Sequence, residues 1–444
     1  MPKLVVANVP EEMLGDLSEI SPDKRKAFGQ GAQRMLWHAG DGDVLVLPRR
    51  PDPVFLEYVT ELTGSRAATL HVVVPPPGEL GSDLVTADRL ADAAFRDELR
   101  TLLARRPVDE IVCTYSDLAV TGLATALDIE YALPGHAFSA QGGDALANSK
   151  TVFRAVAAGN GVPIAPGLIT DRPEHAESEI GSLLEAGHDV MVKQQFSGGG
   201  LGNEILTRTE VARPSGAANV VVLADAGAVH AYVTERWSWL TQYKGHSLVV
   251  ERYFDGSSTV YAEFLATDEG CELRGTGEIL MEPVATGEVI PPQSVTPETI
   301  SELVETGRRA SEAFRVMGYR GTICADAIRT PDGEVLFTET NGRLTASSHL
   351  HLNLIGRVVG EAYRDRRVFL ERSGRWAVPS LTEALTRLED AGLDYDPVTK
   401  LGVVVTADYT PAIGRVTYCV VAHDLDSAHG CEEKIAALLS GPRR

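Results

Sequence analysis

The sequence predicts a multidomain chain of α/β and α+β class, and three observations carry that prediction. Short apolar runs alternate with helical ones through the first third, a long amphipathic segment feeds an acid-bearing hairpin near residue 330, and the pattern changes again after Arg357. At 444 residues the chain has room for roughly two to four domains and for a core that needs no disulfide staples.

The runs LVVANV (4 to 9), DVLVLP (43 to 48), LHVVVP (70 to 75) and EIVCTYS (110 to 116) are short, β-branched and apolar on both faces. Strands of that kind belong to parallel sheets covered by helices. Residues 89 to 106 fit such a helix, with Leu90, Ala94, Leu99, Leu102 and Leu103 along one stripe. These elements define an N-terminal parallel α/β domain, 1–145. A second unit, 146–356, opens where Asn148 or Ser149 can cap a helix beginning near Lys150, which Gly159 to Gly161 ends. A strand (166 to 170) and a helix (174 to 186) lead to the strand carrying Lys193. Strands at 246 to 254 and 260 to 266 are separated by DGSS, which reads as a tight reversal and divides the unit into halves, 146–255 and 256–356. A helix over 297 to 317 aligns Ile300, Leu303, Val304, Ala313, Phe314 and Met317, and it feeds the hairpin 321 to 343. Beyond it, RDRRVFLERSGR is basic enough to run along a surface. A helix (381 to 391), two strands (401 to 406, 415 to 422) and a terminal helix (429 to 439) then suggest a small α+β appendage, 357–444.

Composition narrows the function classes. The hydrophobic share is 44% and no stretch of eighteen apolar residues occurs. The start, MPKLVVANVPEEMLGD, places acids where a secretory leader would stay apolar, so a cytoplasmic location is expected. A net charge of −21 disfavours nucleic acid and anionic membrane as partners. Five scattered cysteines without a CxxC pair suggest neither a disulfide framework nor a zinc ribbon. No internal repeat is visible, and a homodimer is merely the commonest closed assembly.

Between Val190 and Ile205 the chain reads VMVKQQFSGGGLGNEI. The glycines lack the Lys-Ser/Thr of a Walker loop, and the adjoining run NEILTRTEV is strand-like rather than a phosphate-binding helix. Glycines between two strands allow positive φ and close backbone approach, which suits a flap over phosphates; an ordinary long hairpin loop has the same look. Lys193, on the strand just before, is a cation placed to meet the phosphates such a flap would cover.

In the hairpin, a two-residue turn at Asp332 and Gly333, or a four-residue loop from Pro331 to Glu334, sets Asp326 opposite Glu339. A three-residue loop breaks the match. In the even registers Asn341 shares their face. Opposed carboxylates repel unless a cation lies between them, and Mg²⁺ suits carboxylate and amide oxygens; a solvent-facing strand with ordinary acids is the plain alternative. Arg343, two residues on, could hold a carboxylate or a developing oxyanion, or form a surface ion pair. In VVERYFDG, Glu251, Tyr253 and Phe254 could line a flat slot for a purine. His349 and His351 lack partners at zinc-ligand spacing.

In order, a lysine at a helix start, a strand lysine, a glycine flap, E-x-Y-F, then Asp and E-x-N-x-R on a terminal hairpin resemble the ATP-grasp ligases over about Asn148 to Leu350. The resemblance implies a pre-ATP-grasp N-terminal domain, an ATP-grasp fold of two α+β subdomains, and ATP with two Mg²⁺ ions as cofactors. It implies that Lys150 and Lys193 contact the nucleotide phosphates, and that Ser197, Gly198, Gly199, Gly200, Leu201 and Gly202 form the flap. Glu251 with Arg252, Tyr253 and Phe254 would hold adenine. Asp326, Glu339 and Asn341 would ligate the metal, and Arg343, with Lys193, would serve the chemistry by steadying an acyl-phosphate. Many members carry an acid after the hinge for ribose; here Ser257 or Ser258 stands there, with Asp255 a candidate. The whole-chain arrangement also resembles peptide ligases of antibiotic biosynthesis. That implies a small-molecule acid, guanidino-bearing, joined to the free amino terminus of a short peptide. A different carboxylate-amine ligase, a small-molecule kinase or a non-catalytic nucleotide-binding regulator would share the grasp, whereas a carboxylase would want a biotin-carrier segment.

Overall fold

The computed structural model describes the chain apart from residues 1, 11–14, 16, 19, 210, 212 and 441–444. Glu11, Glu12 and Asp16, the acids of the N-terminal stretch, lie outside the described residues. Among the described residues no helix is long and apolar enough to cross a membrane.

Strands β1 (Lys3–Val6), β2 (Val44–Val46), β3 (His71–Val73) and β4 (Glu110–Cys113) form a parallel sheet in the order β3-β2-β1-β4. The expected helix over 89 to 106 is instead two, Ala87–Ala91 and Ala93–Arg105. Asp92 breaks it by capping the second, its carboxylate accepting from the Phe95 N–H at 2.8 Å. The restart turns Phe95, not Ala94, into the core with Leu90, Leu99 and Leu103.

A second sheet holds β5 (Gly167–Thr170), β6 (Val190–Gln194), β7 (Asn203–Thr207), β8 (Asn219–Val222) and β9 (Leu248–Arg252), ordered β5-β9-β6-β7-β8. Helices Pro173–Glu185 and Ala226–Leu240 cover one face, where Ile180, Val229 and Val233 meet Val190, Val192 and Val250. Strand alternation sends Met191, Lys193 and Glu251 to the other face.

The third sheet contains β10 (Ser258–Ala266), β11 (Cys271–Met281), β12 (Ala285–Ile290), β13 (Gly321–Arg329), β14 (Val335–Asn341), β15 (Val368–Ala377), β16 (Gly402–Asp408) and β17 (Arg415–Ala422). Its order is β14-β13-β10-β11-β12-β15-β17-β16. DGSS is therefore no hairpin: β9 pairs with β5 and β6, β10 with β11 and β13, and the turn carries the chain from one sheet to the next. Helix Pro297–Met317 covers one face of this sheet, packing Leu303, Ala310 and Phe314 against Val260, Ala262, Phe264, Ile323, Ala325 and Ala327. Met317, expected on the packed face, is instead exposed at the end of the helix. A Cβ on Gly307 would already touch Phe264, Ala325 and Phe337 at 3.3–3.4 Å. Tyr261, Glu263 and Asp326 point to the opposite face.

The segment expected along the surface is β15, paired on both sides by β12 and β17. Its charges are compensated: Glu371 accepts from Thr406 Oγ1 at 2.6 Å and pairs with His349, and Arg372 donates to Glu432 at 2.6 Å. The segment 357–444 thus extends the third sheet rather than hanging from it. Their core is shared with the N-terminal domain, since Trp37 and Phe55 pack with Phe369 and Val404, and the Trp37 indole donates to the Thr406 carbonyl at 2.8 Å.

Candidate active site

The open faces of the second and third sheets border a cavity of about 1640 Å³. Ser149 caps helix Lys150–Gly159, its hydroxyl accepting from the Val152 N–H, and this fixes Lys150 at the first helical position. From there Lys150 Nζ donates to the Ser197 carbonyl at 2.6 Å and pairs with Glu339 at 2.8 Å. Lys193 Nζ lies 2.5 Å from Glu251, which Arg154 also holds at 2.7 Å. Both lysines are buried. Arg154 escaped the sequence reading, although its place four residues after Lys150 puts the two on one helix face.

The glycine segment joins β6 to β7, which pair antiparallel with Lys193 opposite Asn203. Gly199 and Gly200 adopt φ of +62° and +85°, a region that side chains resist. A Cβ on Gly200 would lie 2.8 Å from the Gly216 carbonyl, and one on Gly202 would lie 2.3 Å from Ser197 Oγ. Leu201 is exposed at the tip, while at the base Ser197 Oγ and Asn203 Oδ1 are buried without hydrogen-bond partners. The Ser197 hydroxyl, free to donate beside two lysines, fits an anionic ligand, whereas Asn203 Oδ1 can only accept.

At the end of β9, Arg252 lies over the Phe254 ring at 4.3 Å, and Glu251 through Phe254 border the cavity. Two parts of the expected adenine contact need correction. The Glu251 carboxylate is taken by Lys193 and Arg154, and the N–H groups of Arg252 and Tyr253 donate to the carbonyls of Pro166 and Asp189 at 2.8 Å each. These groups serve the fold, so a purine edge would have to use others. Ser257 borders the cavity, whereas Asp255 is exposed away from it.

Asp326 and Glu339 face each other across β13 and β14, as expected, but by another route. Arg329 pairs with Val335, the odd register that was expected to break the match. A β-bulge between Asp326 and Ala327 absorbs Thr338, whose hydroxyl donates to the Asp326 carbonyl at 3.2 Å, and this restores the opposition. Asn341 Nδ2 donates to Asp326 Oδ2 at 2.9 Å, and Arg343 donates to Asn341 Oδ1 at 2.7 Å. Burial, and then the charge of Glu339, pushes the Asp326 carboxyl up to about 7. Burial opposes ionisation of Glu339 too, but Lys150, followed by Lys193 and Arg343, outweighs it and lowers that carboxyl below its usual range. Two close carboxylates, one raised by burial and one lowered by a lysine, form a donor set suited to a hard divalent cation, which the Asn341 oxygen joins once it leaves Arg343.

His349 pairs with Glu371 at 3.1 Å and His351 Nε2 meets the Tyr261 hydroxyl at 2.9 Å. Both are buried, and His349 also borders the cavity. Sequence reasoning missed a second lobe of the cavity, bordered by Arg34, Tyr261, Glu288, Ser347, His349 and Glu371. Its members come from distant segments, and no local spacing announces them.

A family model described as the pre-ATP-grasp domain matches residues 32–129, and one described as the PGM1 C-terminal domain matches residues 383–435. No curated protein matches the chain. Among solved structures, the ADP complex of purK, an N5-carboxyaminoimidazole ribonucleotide synthetase, superposes with a TM-score of 0.57 at 12% identity, covering 99% of this chain and 97% of that one. The Campylobacter jejuni biotin carboxylase in its β-γ-ATP complex gives 0.57 at 12% identity, covering 98% and 91%. The Hydrogenobacter thermophilus 2-oxoglutarate carboxylase biotin carboxylase domain, a dimer complexed with MgADP, ADP and bicarbonate, gives 0.55 at 15% identity, covering 95% and 86%. The chain therefore has the architecture expected of it: a pre-ATP-grasp domain, an ATP-grasp-like body with mixed sheets, and a C-terminal domain.

Proposed function

We propose that this chain is an ATP-dependent carboxylate-amine ligase. The observation that carries the reading is the Asp326–Glu339 pair, tied through Lys150 to the glycine flap and set beside Lys193 and Arg343. The named neighbours were solved with ATP or ADP, one of them as the magnesium salt, which supports ATP and Mg²⁺ as the cofactors here.

Lys150 and Lys193 would neutralise the phosphates under the flap. Asp326, Glu339 and Asn341 would hold Mg²⁺, which would supply positive charge to offset that of the phosphates. Lys150 would then exchange Glu339 for a phosphate oxygen. The acid's carboxylate attacks the γ-phosphorus, ADP leaves, and an acyl-phosphate results. The acceptor amine attacks its carbonyl and phosphate departs. Arg343, already fixed by Asn341, would hold the carboxylate and then the oxyanion. Closure of Ser197 to Gly202 would keep water from the acyl-phosphate.

For the substrates, the resemblance to the peptide ligase of pheganomycin biosynthesis favours a guanidino-bearing nonproteinogenic acid as donor and a short peptide as acceptor, in a cytoplasmic antibiotic pathway. Residues 146–356 would form the catalytic body, with 1–145 and 357–444 closing the cavity, and a homodimer is the assembly to test first. With ATP, Mg²⁺, acid and peptide, phosphate should appear only when acid and amine are both supplied, and Glu339→Ala should abolish it. Phosphate release indifferent to the amine sinks the ligase reading.

A further inference from the structure

Amide formation needs one group that the lysines, the metal ligands and Arg343 do not supply. The α-amine of a peptide has a pKa of about 7.7–8.0, so near neutrality it arrives mostly as an ammonium ion, without the lone pair that attacks an acyl-phosphate. A base facing the cavity must take that proton.

Five carboxylates border the cavity: Glu251, Glu288, Asp326, Glu339 and Glu371. Glu251 is paired with Lys193 and Arg154, Glu339 with Lys150, and Asp326 lies against Asn341 in the proposed metal site. Glu371 is held by His349 at 3.1 Å and by the Thr406 hydroxyl at 2.6 Å, with the Arg34 guanidinium 4.0 Å away to balance it. Of the five, Glu288 alone has neither an ion pair among the described residues nor a place in the metal site. The groups on it are neutral: the Tyr261 hydroxyl donates to it and the Ser347 hydroxyl supports it. His38, which also borders the cavity, is no substitute, since burial lowers it to about 3.

Glu288 lies on β12, in register with Ile279 of β11 on one side and Glu371 of β15 on the other. Ser347 follows Arg343 by four residues, and residues 343 to 347 share the cavity wall with Glu288, so one segment serves both the oxyanion and the carboxyl. Burial, and then the charge of Glu371, pushes that carboxyl up to about 8; the Tyr261 and Ser347 hydroxyls oppose the rise, and the charge of Glu263, which does not border the cavity, adds to it. Arg34 faces both acids, and His351, on the far side of the Tyr261 hydroxyl, is lowered to about 3 by burial and stays neutral. An acid in that range exchanges a proton with an amine at little cost near neutral pH.

We propose that Glu288 is the general base of the amide-forming step, taking a proton from the acceptor amine. The inference rests on the ligase reading and adds a catalytic residue to it. Glu288 removes one proton from the ammonium. The freed lone pair forms the C–N bond, the acyl C–O bond breaks, and its electron pair leaves with phosphate, which carries away a second amine proton. The Glu288 carboxyl returns its own proton to water as the products depart.

Hydroxylamine separates this role from a structural one, because it is uncharged near neutral pH and attacks an acyl-phosphate without a base. With ATP, Mg²⁺ and 4-guanidinobenzoate, arginine or phenylglycine as the acid, amide formed with trialanine and hydroxamate formed with hydroxylamine are measured side by side by mass spectrometry. Glu288→Gln should lower the amide rate at least about 100-fold, the low end of what a positioned base contributes, and leave the hydroxamate rate within a few-fold of wild type. A loss shared equally by both products, or found in neither, overturns the proposal and leaves the ligase reading standing. If Glu288→Gln no longer binds MgADP, Tyr261→Phe is read instead. It removes a donor that lowers the carboxyl, so the rising limb of kcat against pH should move upward for trialanine and not for hydroxylamine; a limb that stays in place, or moves for both, overturns the proposal. Wild-type protein that forms no hydroxamate from any of the three acids overturns the ligase reading, and the base with it.

Discussion

Replacing Gly277 by alanine tests whether the floor of the cavity is as tightly set as its geometry implies. Gly277 pairs with Tyr261, and an ideal Cβ there would lie 2.4 Å from the Tyr261 hydroxyl oxygen and 2.5 Å from two ring carbons. Comfortable contact is about 3.5–4.0 Å, so the ring must move by roughly 1 Å. Tyr261 is fully buried and has nowhere to go without loosening its hydroxyl from Glu288 and from His351, at 2.9 Å. Overpacking costs about 1–3 kcal/mol and a buried acid left without its donor about as much again, giving roughly 2–6 kcal/mol. The backbone adds nothing, since Gly277 is not among the residues of positive φ. Urea unfolding at pH 7.5, read as a change in midpoint at constant slope, measures the loss. The double variant Gly277→Ala/Tyr261→Phe should cost less than the sum of its parts, because the hydroxyl is the nearest clashing atom. A Gly277→Ala protein within about 0.5 kcal/mol of wild type, or strict additivity, would refute the reasoning.

Glu263→Gln should stabilise the chain at pH 8 and not at pH 4. Burial raises the Glu263 carboxyl to about 7, so the folded state keeps its proton longer, and the cost of ionising it is absent below about 4.5 and complete above 7. Glutamine mimics the protonated form, and denaturant midpoints across that range should diverge by on the order of 2 kcal/mol. Ser149→Ala removes the cap that fixes Lys150, and urea titration should show a loss of about 1 kcal/mol. Gly200→Ala places a side chain at positive φ against the Gly216 carbonyl; the KM for ATP should rise while urea stability falls by no more than about 2 kcal/mol. MgADP at a hundred times its Kd should stabilise the wild type by about 2.7 kcal/mol, and Lys150→Ala should need more nucleotide for the same gain, as calorimetric melts would record.

Features set by neighbours in sequence were legible before the structure. Helix Pro297–Met317 spans the expected 297 to 317, and the parallel strands lie where β-branched runs occur. The hairpin brought Asp326 to Glu339 as anticipated, yet the bulge at Thr338 was not readable, because one extra residue in a ladder leaves no mark on hydropathy. Failures share a cause. DGSS looks like a reversal whichever sheets its flanking strands join, and the charges of β15 look like surface because Glu432 and His349 lie far away in sequence. Arg154 and Glu251, 97 positions apart, make the same point inside the site.

The strand order of the third sheet also acts as a ruler. From β13, which bears Asp326, to β12, which bears Glu288, the path crosses β10 and β11, three inter-strand steps of about 4.8 Å, or roughly 14 Å. Backbone hydrogen bonds hold that span on a rigid ladder, so it cannot stretch to suit a guest. A guest reaching from one of these strands to the other would thus be chosen for its length. Lengthening its spacer by one methylene should weaken it even when both ends remain chemically correct, a form of selection that no single side chain in the pocket provides.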